Sequence, residues 1–175
     1  HSRFLPHDQF QKSQPLRMSF PNWPCFCVTS RKNVTSDAMN AAAPNTSIAA
    51  RQQTARIARL NDLARKAMGV ACTAVATVGF RSLPESDQSR VRELIETYDA
   101  FDEDSDPHGE RDFGCVYQLG NGQWTTERPR VCDDERERVF WKLDYYDREL
   151  RFASEDAADP AITRRVLTIM LADEY

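Results

Sequence analysis

The segment Val139–Tyr146, VFWKLDYY, constrains this chain more than any other. It is rich in aromatic and β-favouring residues and follows the polar run 133–138, so it predicts a strand. A lone strand of this kind is unstable in water. It needs neighbours to satisfy its backbone and a second layer to bury one face. The chain has 175 residues, 41% of them hydrophobic and 29% charged, which is enough for one core and too little for two once an irregular first third is set aside.

Reading outward, Ile57, Leu60, Leu63, Ala64, Ala67 and Met68 recur at helical spacing among Arg56, Arg59, Asn61, Asp62 and Arg65, which predicts an amphipathic helix from Arg51 to about Gly69. The period then shortens to two from Val70 to Phe80 and predicts a strand. Ser82, Pro84 and Glu85 have the order of a helix start, and Val91, Leu94, Ile95, Tyr98 and Phe101 give that second helix its buried stripe. Phe113, Cys115, Tyr117 and Leu119 alternate up to the turn signal Gly120-Asn121-Gly122, predicting a strand that opens a hairpin. Leu150 and Phe152 suggest a short further strand, and Asp159-Pro160 is read as opening a last helix through Ile162, Val166, Leu167, Ile169, Met170 and Leu171. The expected class is α+β, a small, largely antiparallel sheet with helices packed on it.

Residues 1–50 are expected to be a disordered or non-native N-terminal extension, and residues 51–175 a single domain. Pro6, Pro15, Pro21 and Pro24 break up the first 38 residues, no signal-type apolar core precedes Met39, and Met39 is the expected start. No stretch approaches the roughly 18 apolar residues of a membrane helix. Residues 1–38 hold five of the 23 Lys+Arg and two of the 27 Asp+Glu, so residues 39–175 carry a formal net charge of −7. An acidic surface repels a phosphate backbone, so direct nucleic-acid binding is not expected. The five cysteines, Cys25, Cys27, Cys72, Cys115 and Cys132, are odd in number and lack zinc-knuckle spacing. They are read as free thiols of a cytoplasmic protein.

Three segments carry a family resemblance: RIARLND at 56–62, FDEDSDPHGERDFG at 101–114, and VFWKLDYYDREL followed by DPAITRRVLTIMLADEY. Together they resemble the family called domain of unknown function 3768, over about residues 51–175. The resemblance implies the α+β fold derived above, no assigned activity, and an alphaproteobacterial setting often in plasmids or other mobile elements. The chain departs from the family at Ser105, where an Asn is usual, at Arg111, where a His is usual, and in a longer stretch from Leu119 to Arg138. The resemblance therefore supports no metal role for position 111.

Three constellations could carry function. Asp102, Asp104, Asp106, His108, Glu110 and Asp112 alternate like a hard-metal loop, but Pro107 and Phe113 stand where a calcium loop of the EF-hand type needs Gly and Glu. The open readings are a mixed Mg²⁺, Mn²⁺ or Zn²⁺ site, a solvated turn shaped by Asp106, Pro107 and Gly109, and a partner-binding loop. Lys142 and Asp144 share one strand face, in the reverse of the order that PD-(D/E)xK nucleases require, and an ion pair from Lys142 to Asp112 or Glu110 would also account for them. Phe140, Trp141, Tyr145 and Tyr146 are either core or interface. The expected binding surface is Asp106, His108, Glu110, Asp112, Trp141, Lys142, Asp144, Tyr145 and Tyr146, with no metal or cofactor and a protein partner. The leading reading is a non-catalytic accessory protein of a mobile element. The alternative is a metal-dependent hydrolase or nuclease using the acidic loop.

Overall fold

The structure, a computed structural model, describes residues 48–129 and 135–175. Most of the expected extension therefore lies outside the described residues, as do Cys25, Cys27 and Cys132. In chain order the elements are α1 (Ile48–Lys66), β1 (Thr73–Ala76), α2 (Val78–Ser82), α3 (Glu85–Glu96), β2 (Phe113–Leu119), β3 (Trp124–Thr125), β4 (Glu135–Tyr146) and β5 (Arg164–Leu171), followed by a 3₁₀ turn, Ala172–Glu174. The strands form one sheet in the order β1-β5-β4-β2-β3, with only β1 and β5 parallel. The class is α+β.

Helix α1 starts at Ile48, three residues before the expected boundary, and Gly69 ends the segment with a φ of +78°. Its buried face differs from the apolar stripe: Ile57, Ala58, Asn61, Ala64 and Arg65 face inward, while Leu63 is 56% exposed. The alternation from Val70 to Phe80 yields only the four residues of β1. The ladder ends where the Thr77 amide donates to the Ile169 carbonyl, and the Glu174 carboxylate then accepts from the Thr77 hydroxyl and the Gly79 amide as α2 begins. Ser82 does not cap α3. Its hydroxyl donates back to the Gly79 carbonyl, and Pro84 occupies the cap position.

The tight β2–β3 turn follows the Gly120-Asn121-Gly122 signal, with Gly122 at φ +84°. Leu150 and Phe152 do not form a strand. Residues 147–152 close a turn in which the Asp147 amide donates to the Phe152 carbonyl and Leu150 takes a φ of +58°. The expected last helix is also wrong. Asp159 holds a turn by accepting the Ala161 amide on its carboxylate and the Thr163 amide on its carbonyl, and the chain then runs extended as β5. Segment RRVLTIML fits a buried strand as well as a helix, because a strand between two others reads as a nearly continuous apolar run.

One face of the sheet meets the helices. Val116, Val139, Trp141, Leu143, Leu167 and Ile169 pack there with Ala64 of α1, Phe80 of α2, and Val91 and Ile95 of α3. Trp141 is fully buried at the centre and makes edge contacts with Tyr98 at 5.3 Å and Phe101 at 6.2 Å. Gly114, its partner in register on β2, makes room for the indole: a Cβ there would lie 2.5 Å from the Trp141 ring. Emptying so large a site costs about 3–5 kcal/mol.

Candidate functional site

The loop between α3 and β2 is built by its acids acting on its own backbone. The Asp102 carboxylate accepts the amides of Asp104 and Ser105 at 3.1 and 2.7 Å, and Asp106 accepts those of Glu110 and Arg111 at 2.9 and 3.1 Å. Gly109 takes a φ of +69° at the bend, and Arg111 follows at +56°. Such Asx-type bonds shape a turn and occupy the oxygens that would otherwise face a ligand. His108 is exposed. Among the described residues no three His, Cys, Asp or Glu side chains converge as a metal site.

Beneath this loop lies a buried polar cluster that joins α1 to the sheet. Asn61 is wholly buried. Its Nδ2 donates to the Glu110 carbonyl at 2.8 Å and to the Tyr145 hydroxyl at 2.6 Å, and its Oδ1 accepts from Arg165 Nε at 2.8 Å. Arg165 also donates to the Ala157 carbonyl at 2.6 Å and stacks over the Tyr145 ring at 5.3 Å. Burial holds the Tyr145 phenol well above its ordinary pKa, with Asp112 and Glu110 adding to the effect. Nearby, Arg65 is 1% exposed, donates to the Ile95 carbonyl at 2.6 Å and pairs with Asp62 at 2.7 Å. It thereby satisfies a carbonyl at the C-terminal end of α3, where a cation is also favoured by the helix dipole. These groups mostly satisfy one another, which makes the cluster a lock between layers.

Asp112 stands at the edge of this cluster. Its carbonyl accepts the Leu143 amide at 2.7 Å, while burial, with Glu110 close by, pushes its carboxyl from 3.8 to about 6. Lys142 pairs with neither Asp112 nor Glu110. It contacts Asp144 on its own strand at 3.1 Å, both side chains being 35% exposed. Trp141 and Tyr145 point to the helix layer and so leave the expected binding surface, while Tyr146 ends β4 half-buried opposite Arg164.

The opposite face of the sheet carries no helix among the described residues. Register places Phe113, Lys142 and Thr168 in one row across it, and Cys115, Phe140 and Met170 in the next, where Cys115 and Met170 are buried and Phe140 half-buried. Phe113, Phe140 and Tyr175 form a ring cluster with centroid separations of 5.3, 5.6 and 5.8 Å. Tyr175 is 60% exposed. The Lys142–Asp144 pair lies beside this cluster, so aromatic surface and paired charge are contiguous.

A family model described as "Protein of unknown function (DUF3768)" matches residues 76–174. The chain belongs to this family. No curated protein and no solved structure matches the chain. The DUF3768 match contains α2 to β5 and the acidic loop, and leaves α1 and Tyr175 outside it.

Sequence reasoning missed Asn61, Arg65 and Arg165 as the polar anchors of this domain. Asn61 and Arg65 read as the wet side of α1, and Arg165 as part of a helix. One signal for Arg165 was available: it alternates with Leu167 and Ile169 at the period of a strand. Nothing in the pattern around Asn61 marks it as buried.

Proposed function

We propose that this DUF3768 domain is a non-catalytic accessory protein that docks a protein partner on the open face of its sheet, in the cytoplasm. The observation that carries the reading is the contiguity of the Phe113–Phe140–Tyr175 cluster with the Lys142–Asp144 pair on a face without helices. Aromatic anchors beside paired charge are the composition of protein interfaces. A formal net charge of −4 favours a protein over a nucleic acid as the partner. The acidic loop supports this reading over a metal-dependent hydrolase, because Asp102 and Asp106 are bonded to backbone amides. Of the residues expected from sequence to make contact, Lys142, Asp144 and Tyr146 stay at this surface, joined by Phe113, Phe140 and Tyr175.

The test is site-directed photo-crosslinking in the native host, with the crosslinking residue at position 113 or 175. A discrete protein adduct is expected, reduced at least tenfold by Phe140→Asp or Lys142→Glu in a protein that still melts cooperatively, and unchanged by Glu93→Lys on α3. Adducts arising equally from positions on α3 would remove the open face from consideration.

A further inference from the structure

The outer side of α1 forms a groove with the acidic loop, remote in character from the aromatic face. Arg51, Arg59 and Asp62 line it from the helix, with His108 and Arg111 from the loop, around a volume of about 620 Å³. Positions 51 and 59 are two turns apart on one helix face, about 12 Å along the axis. Gly109 brings the loop backbone against the helix, a Cβ there lying 3.5 Å from Thr54 Cγ2.

The charge balance of this groove is opposite to that of the chain. Asp62 is its one carboxylate, and both of its oxygens are engaged, at 2.7 Å by Arg65 and at 2.7 Å by Arg111. Arg111 reaches Asp62 from a left-handed backbone conformation, φ +56°, that costs a non-glycine residue of order 1 kcal/mol or more. Arg51 and Arg59 are exposed, and neither has an ion-pair partner among the described residues. The result is three guanidiniums and an imidazole around a single neutralised acid, in a chain whose formal net charge is −4. Guanidinium forks match the oxygens of phosphate and hold them by charge-assisted bonds. The volume falls in the range of small-molecule sites and exceeds what a bare phosphate fills, and Thr54, Ala55 and Ala58 supply neutral wall for a small organic body.

We infer that this groove binds a small phosphomonoester, its dianionic group held by Arg51 and Arg59 and its organic part lying against Thr54, Ala55 and Ala58. Arg111 frames the site from the loop, where its bond to Asp62 also keeps that carboxylate from repelling the ligand. Occupancy would tie the loop to α1 without involving the open sheet face.

Isothermal titration of the full chain tests this with ribose 5-phosphate, inorganic phosphate, ribose and sodium chloride as probes. Ribose 5-phosphate is expected to bind saturably at one site, more tightly than inorganic phosphate, while ribose and equal ionic strength of chloride give no saturable heat. Arg51→Gln and Arg59→Gln should each weaken binding at least tenfold without changing Tm, and Arg148→Gln, outside the groove lining, should leave it unchanged. Equal binding by all three variants, or a response reproduced by chloride, would overturn the assignment. Tighter binding of a short oligothymidylate than of ribose 5-phosphate would overturn it in favour of a nucleic-acid backbone.

Discussion

Replacing Asp112 by Asn should stabilise the domain at neutral pH and have no such effect in acid. Burial and the neighbouring Glu110 raise the carboxyl from 3.8 to about 6, so the folded state binds more protons than the unfolded state between those values. Stability from this group is therefore fully present below about pH 3.8, falls as pH rises through the window, and is gone above about pH 6. At about 1.4 kcal/mol per pH unit the ionised side chain costs at most about 3 kcal/mol at pH 7.5. Its partial contact with water reduces this to about 2 kcal/mol. The amide is neutral and nearly isosteric, and the backbone bond from the Leu143 amide is untouched. Urea unfolding followed by tryptophan fluorescence at pH 7.5, 6, 4.5 and 3.5 should show Asp112→Asn gaining about 2 kcal/mol at pH 7.5, less at 4.5, and almost nothing at 3.5. A variant less stable than wild type at pH 7.5, or a gain equal at every pH, would refute the argument from desolvation.

Gly114→Ala should cost about 3 kcal/mol, because its Cβ would lie 2.5 Å from a ring that cannot move in a packed core. In the Trp141→Leu background the same change should cost less than half as much by thermal or urea melts, and equal costs in both backgrounds would separate the two residues. Asn61→Ala should destabilise by about 2–3 kcal/mol, since it leaves Arg165 Nε and the Tyr145 hydroxyl without their shared partner. Nearly additive effects of Asn61→Ala and Tyr145→Phe in a double-mutant cycle would show that they do not act as one network. Titration with Mn²⁺ should give only weak heats that added salt suppresses, as screening of exposed carboxylates requires. A stoichiometric micromolar site lost in both His108→Ala and Asp112→Ala would move the hydrolase reading to first place.

Local chemistry determined much of this protein. Helices α1 and α3 followed from apolar residues at helical spacing, β2 and β4 from alternation and aromatic content, and the β2–β3 turn from Gly120-Asn121-Gly122, because each signal lies within a few neighbouring residues. Position in the sheet decided the rest. RRVLTIML satisfies both a helix and a buried strand, and it became β5 because β1 and β4 pair with its two edges. Residues 70–80 alternate throughout, yet only the part that meets β5 stayed extended. The candidate sites depended most on tertiary structure. Trp141 and Lys142 are adjacent in sequence, but the pleat sends one to the helix layer and the other to the open face. Asn61 and Arg65 are polar residues on a helix that periodicity assigns to water, and only the partners brought to them by Glu110, Tyr145, Arg165 and α3 make their burial stable. Side-chain type alone carries no record of those distant partners.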